Sequence, residues 1–220
     1  MRLQDELDAV RSKRCQSTPS HISRVRKDAI DDLISSGVAE RAIQAGEPAP
    51  EFQLPDRDGV LLSSSALLKR GPVLIIFYRG RWCPYCLVDL RANEDVAQQF
   101  RSRGASIISI SQQTAHESRC TEEMNNLSFP SLIDRGGEVA HAFGLRWKLS
   151  QELRSVELER GLDLPSINGE PSWTLTMPAR YVLGPSGIVE YADISADYTR
   201  RSDPTELFPV LSRIRGPLMH

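Results

Sequence analysis

The segment Val73-Leu74-Ile75-Ile76-Phe77-Tyr78 is an unbroken apolar run in a chain of 220 residues. Successive side chains of a strand point to opposite faces, so an extended run of this kind needs apolar cover on both sides. Strands with that requirement sit in the middle of parallel or mixed sheets, between layers of helices. The sequence is therefore expected to fold as an α/β protein built around this strand.

The run leads through Arg79-Gly80-Arg81-Trp82 into Cys83-Pro84-Tyr85-Cys86, followed by a segment of helical character. Residues i and i+3 at a helix start can come within disulfide reach, and the unpaired N–H groups of the first turn favour a thiolate. The tetrapeptide thus reads as a redox pair on a strand-to-helix junction.

Around this junction helices and strands alternate. Residues 1–45 read as a helical arm, with Leu3, Leu7 and Val10 at helical spacing and Thr18-Pro19 as a cap followed by proline at the first helical position. Ile22, Val25, Ala29, Ile30, Leu33 and Ile34 continue an apolar stripe that must pack on the main domain or on another subunit, so a homodimer stays open. Gly46-Glu47-Pro48-Ala49-Pro50 breaks the helix and opens the main domain, residues 46–220. Within it, strands are expected at 52–54, 73–78, 106–111 and 129–134, and a hairpin at 181–183 and 188–191. Helices are expected at 63–68, from the cysteines to about residue 103, from Thr114, at 138–143 and 150–160, and after Asp203-Pro204-Thr205-Glu206. Residues 161–177, rich in Pro, Gly, Ser and Asn, read as a long irregular loop.

Composition narrows the partners. A net charge of −2 with interleaved signs gives no basic field, which argues against nucleic acid and anionic membrane. The first residues lack a signal-peptide core and no run approaches the roughly 20 apolar residues of a membrane span, so a cytoplasmic location is expected. Four cysteines do not make a disulfide framework, and in a reducing compartment a close CxxC pair is more often catalytic or metal-binding.

The order β-α-β-α-β-α then β-β-α, with CxxC after a central strand, resembles the thioredoxin fold, here with an N-terminal helical extension. Phe77 to Cys86 is similar to thioredoxin's aromatic-Trp-CxxC segment. Ala49-Pro50-Glu51-Phe52-Gln53-Leu54-Pro55-Asp56-Arg57-Asp58-Gly59 looks like the opening strand and turn of peroxiredoxins, and residues 46–215 resemble the peroxiredoxin-like branch of the alkyl hydroperoxide reductase and thiol-specific antioxidant superfamily. On the Pro-x-x-x-Thr-x-x-Cys signature of peroxiredoxins, Cys86 falls on the attacking cysteine, Cys83 on the threonine and Arg79 on the proline. One position matches and two depart. Pro178 matches the cis-proline that faces CxxC in thioredoxin-like enzymes, and Arg180, on the same face of an extended segment, is a stand-in for the thiolate-stabilising arginine.

The resemblance implies a thiol peroxidase that reduces hydrogen peroxide or organic hydroperoxides, Cys86 attacking and Cys83 resolving. In thiol–disulfide exchange the order would invert, with Cys83 attacking. Either cycle draws electrons from an external donor such as thioredoxin or glutaredoxin and implies no bound cofactor. A third reading is a non-catalytic redox sensor or metal clip.

Trp82 is expected to shield the pair, Pro84 and Tyr85 to shape the helix start, and Trp173 to lie over the site and line a substrate pocket. Arg79 and Arg81 would lower a thiol pKa if they face it. A zinc site would need His116 and Cys120, an i, i+4 pair, to join the two cysteines; no metal is expected. His116 reads as an exposed first-turn residue, Cys120 as packing, and Cys15 as a thiol with no assigned task.

Overall fold

The structure, a computed structural model, describes residues 2–214. The arm comprises α1 (Leu3–Ser17) and α2 (Ser20–Ser35). A short antiparallel pair follows, β1 (Gln53–Pro55) with β2 (Leu61–Ser63), and then α3 (Ser64–Leu68), whose cap Ser63 accepts from the Ala66 amide. The expected central strand is β3 (Val73–Phe77); after it come α4 (Pro84–Asp95), α5 (Ala97–Arg101) and β4 (Ser106–Ser111). The chain continues through α6 (Ala115–Asn125), β5 (Ser131–Ile133), α7 (Glu138–Ala142), β6 (Arg146–Lys148), α8 (Gln151–Glu159) and α9 (Leu164–Asn168). It ends with β7 (Thr174–Thr176), β8 (Ala179–Leu183), β9 (Val189–Ile194), a 3-10 turn at Pro204–Leu207 and α10 (Phe208–Arg213).

The main sheet has the order β5-β4-β3-β8-β9, with β3, β4 and β5 parallel and β8 and β9 antiparallel to their neighbours. Both faces of β3 are covered, as its composition demands. Leu74, Ile76 and Tyr78 join a cluster with Leu90 and Phe100 of the following helices, and Val73, Ile75 and Phe77 join one with Phe52, Phe143 and Tyr181 on the opposite side.

The arm folds back on its own chain. Leu3 and Leu7 of α1 belong to the same cluster as Leu90 of α4, and α2 lies against α8, with Ile22 in a third cluster beside Leu153 and Val156. Pro19 takes the cap position itself, one residue earlier than its expected place inside the helix. The capping box at Asp203 and Glu206 forms as the spacing predicts.

Three expectations change. The helix after the cysteines does not run to residue 103: it breaks at Val96, a β-branched residue outside the helical region at φ −109° and ψ 5°, and resumes as α5. Residues 161–177 are not a single irregular loop: α9, with Pro165 in its first turn, and β7, paired with β6 in register Trp147 to Leu175, lie within it. Three-residue strands carry too little alternation to be read from sequence. Among the described residues no peptide bond is cis, so the expected cis bond before Pro178 is replaced by a trans one.

Candidate active site

The site is made by the end of β3. Phe77 pairs with Ile110 on one side and Ala179 on the other, and the chain then turns through Gly80 at φ +141°. A side chain at Gly80 would stand 2.6 Å from Trp82 Nε1, so glycine is required twice over, by backbone and by space. The turn is held by Gln113, whose carbonyl accepts from the Arg81 amide at 2.9 Å, and by the paired Arg81 and Glu117 side chains at 2.7 Å. Arg81 therefore points to α6 rather than to the thiols.

Cys83 is the cap residue of α4, Pro84 is its first residue, and the Cys86 amide donates to the Cys83 carbonyl at 3.0 Å. This brings the sulfurs of Cys83 and Cys86 to 3.0 Å, both reduced and both only 1% exposed, with the Cys86 thiol donating to Cys83. Burial alone would push the Cys83 thiol up, but the Cys86 hydrogen bond, the Arg79 guanidinium and Arg201 outweigh it and pull Cys83 down to about 6. Cys86 moves the other way: burial, together with the bond it gives to Cys83 and the charge there, holds it well above the usual thiol range. The pair is polarised into one thiolate and one thiol.

Arg79 is buried, its guanidinium lying 4.6 Å from the Trp82 ring centre and 4.0 Å from that of Tyr198. Tyr85 completes this wall by meeting Tyr198 edge-on at 5.7 Å. Burial, then the neighbouring Tyr198, push the Tyr85 hydroxyl up to about 12, so it stays a neutral phenol.

Behind Cys86 lies a buried ionic cluster. Asp89, one helical turn on, pairs with Arg180 of β8 and stands 3.5 Å from Arg201, whose Nη2 is 3.9 Å from the Cys86 sulfur. Arg180 also donates to the Ser202 carbonyl at 3.0 Å. Among the described residues its side-chain partners are Asp89 and Ser202, and it contacts neither cysteine.

Cys83, Pro84, Tyr85 and Trp82 line a cavity of about 250 Å³ together with Leu162, Tyr198, Arg14, Arg26, Arg79 and Arg160. Pro178 lines a small apolar recess adjoining it and sharing Arg79. Trp173 lines neither: at φ +54° it packs in the α2–α8 cluster, with Arg154 5.9 Å from its ring centre. His116 is exposed and 3.9 Å from Cys120, and among the described residues no third His, Cys, Asp or Glu joins them in a metal-binding group. Cys15 is exposed on α1.

Sequence reasoning missed Arg201, Tyr198, Arg26, Arg160 and Asp89. Only Asp89 had a local signal, an acid three residues after Cys86 on the same helix face.

The family model described as AhpC/TSA matches residues 45–192. The chain belongs to the AhpC/TSA family. A Mycobacterium tuberculosis protein named as a peroxiredoxin is 30% identical over 115 residues, covering 52% of this chain and 75% of that one. The thiol-disulfide oxidoreductase ResA of Halalkalibacterium halodurans is 32% identical over 117 residues, 51% of this chain and 64% of ResA. Among solved structures, the peroxidoxin BcpB from Mycobacterium tuberculosis superposes with a TM-score of 0.61 at 23% identity, over 79% of this chain and 99% of BcpB, which places this AhpC/TSA chain in the same fold. That superposition leaves out about a fifth of the chain.

Proposed function

We propose that this AhpC/TSA protein is a thiol-dependent peroxidase in which Cys83 attacks the hydroperoxide and Cys86 resolves. The observation that carries the order is that Cys83 alone of the two faces the cavity, while the Cys86 thiol donates to it from behind at 3.0 Å. The signature position favours Cys86 instead; the cavity lining and the hydrogen bond support the reverse.

In the first step the Cys83 thiolate sulfur bonds to the distal peroxide oxygen, the O–O bond breaks, and the leaving alkoxide, or hydroxide from hydrogen peroxide, takes a proton from solvent and departs as alcohol or water. The sulfur is oxidised by two electrons to a sulfenic acid and the peroxide is reduced. Cys86 then attacks the Cys83 sulfur; the S–O bond breaks, and the leaving hydroxide takes the Cys86 proton and departs as water. Closing the disulfide from 3.0 Å to about 2.05 Å needs only a small movement of the first turn of α4. An external thiol donor of the thioredoxin or glutaredoxin class would reduce the disulfide.

Single-turnover peroxide consumption with dimedone trapping tests the assignment. Cys83→Ser is expected to consume no peroxide, and Cys86→Ser one equivalent, with the dimedone adduct on Cys83. An adduct on Cys86 in the Cys83→Ser protein would reverse the order. Insulin disulfide reduction without any peroxide reactivity would replace the peroxidase by a disulfide reductase, the activity in ResA's name.

A further inference from the structure

The cavity over Cys83 has a charge pattern that hydrogen peroxide does not need. Four arginines line it, Arg14, Arg26, Arg79 and Arg160, and among the described residues no carboxylate does. Outside it, Glu157 pairs with Arg26 and stands 3.8 Å from Arg160, offsetting one positive charge. The Cys83 thiolate offsets a second.

Arg79 is the decisive member. It is 7% exposed, held between Trp82 and Tyr198, makes no side-chain hydrogen bond or ion pair among the described residues, and its buried Nε has no partner. An unfilled buried donor such as this Nε is costly, while the Nη nitrogens, with no protein acceptor among the described residues, are free to donate to a molecule in the cavity that Arg79 lines. The Trp82 and Tyr198 rings hold the guanidinium between them. The space is also generous: about 250 Å³ against the roughly 30 Å³ that a water molecule takes in the liquid, far more than hydrogen peroxide fills.

We propose that this cavity selects small anionic hydroperoxides, with a carboxylate on the carbon skeleton held by Arg79, Arg14 and Arg160 while the peroxide group meets the Cys83 sulfur. The inference rests on the peroxidase reading for its reaction, although the charge selectivity of the cavity does not.

Two measurements keep them apart. In the first, a hydroperoxyalkanoate and a neutral alkyl hydroperoxide of the same carbon number are compared by kcat/KM. The anionic substrate is expected to be favoured at least tenfold at low ionic strength, and the ratio to fall several-fold in Arg160→Gln, in Arg14→Gln and in 0.5 M salt. In the second, the reduced protein is alkylated at Cys83 with iodoacetate or iodoacetamide, a pair differing little except in charge. The iodoacetate-to-iodoacetamide rate ratio should exceed that of a free thiol and fall toward it in the same variants. Equal kcat/KM for the two hydroperoxides, or a free-thiol alkylation ratio in the wild type, overturns the anion site. Loss of all hydroperoxide reduction with the alkylation ratio still elevated overturns the peroxidase and leaves the anion site standing.

Discussion

The Cys86 thiol donates to the Cys83 sulfur across 3.0 Å, the contact on which the proposed order of attack by Cys83 and resolution by Cys86 rests. A donated hydrogen bond stabilises the charged acceptor and keeps the donor protonated. Arg79, on the cavity side, acts in the same direction on Cys83, while Arg201 stands beside Cys86.

The pH dependence of alkylation follows directly. Because Cys83 is pulled down to about 6, its iodoacetamide reactivity should rise with a midpoint near pH 6, since only the thiolate reacts and its fraction grows as pH increases through the pKa. In Arg79→Met the favourable charge is gone and the midpoint should move upward by about one to two units. An unchanged midpoint would mean that Arg79 does not act on the thiol.

Among the described residues Asp89 is the carboxylate that pairs with both buried arginines, Arg180 and Arg201. Asp89→Asn keeps the shape and removes the charge, leaving both guanidiniums without this ion-pair partner. Removing one partner of a buried pair costs about 3–5 kcal/mol, so urea unfolding should shift to markedly lower denaturant. A midpoint within error of the wild type would show that Ser202 and water satisfy both arginines.

What was legible in the sequence depended on how local the cause was. The Val73–Phe77 strand, the CPYC helix start and the Asp203–Glu206 capping box each follow from a few adjacent residues, and each is present. The β6–β7 pair was illegible because three-residue strands are fixed by each other and by the Met177 amide bonding to the Leu145 carbonyl at 2.8 Å. Arg180 could be placed on the right face by alternation, but its partner Asp89 is 91 residues away, and the Arg201–Cys86 approach spans 115. Contacts of that separation are products of the assembled sheet, with no local pattern to announce them.

The arm is part of the core, and Leu7 measures how much. It is fully buried in the cluster that contains Leu90, Leu207 and Leu211. Leu7→Ala should therefore lower the unfolding free energy by about 2–5 kcal/mol in urea titration. A loss below about 0.5 kcal/mol, the level of an ordinary surface substitution, would show that α1 detaches before the domain unfolds.

Gly80 tests whether the turn before Trp82 sets the geometry of the cavity. At φ +141° any L side chain is strained, and a β-carbon would meet Trp82 Nε1 at 2.6 Å and the Gln113 side-chain oxygen at 3.1 Å. Gly80→Ala must therefore displace Trp82, which packs on Arg79, or break the bond from the Arg81 amide to Gln113. Both routes loosen the support of Arg79 without touching either cysteine. The expected result is a folded protein with altered tryptophan fluorescence, an alkylation midpoint raised toward that of Arg79→Met, and peroxide turnover reduced at least tenfold. If the fluorescence changes while the midpoint stays near pH 6, Trp82 is only a wall of the cavity and Arg79 is positioned by Tyr198 alone.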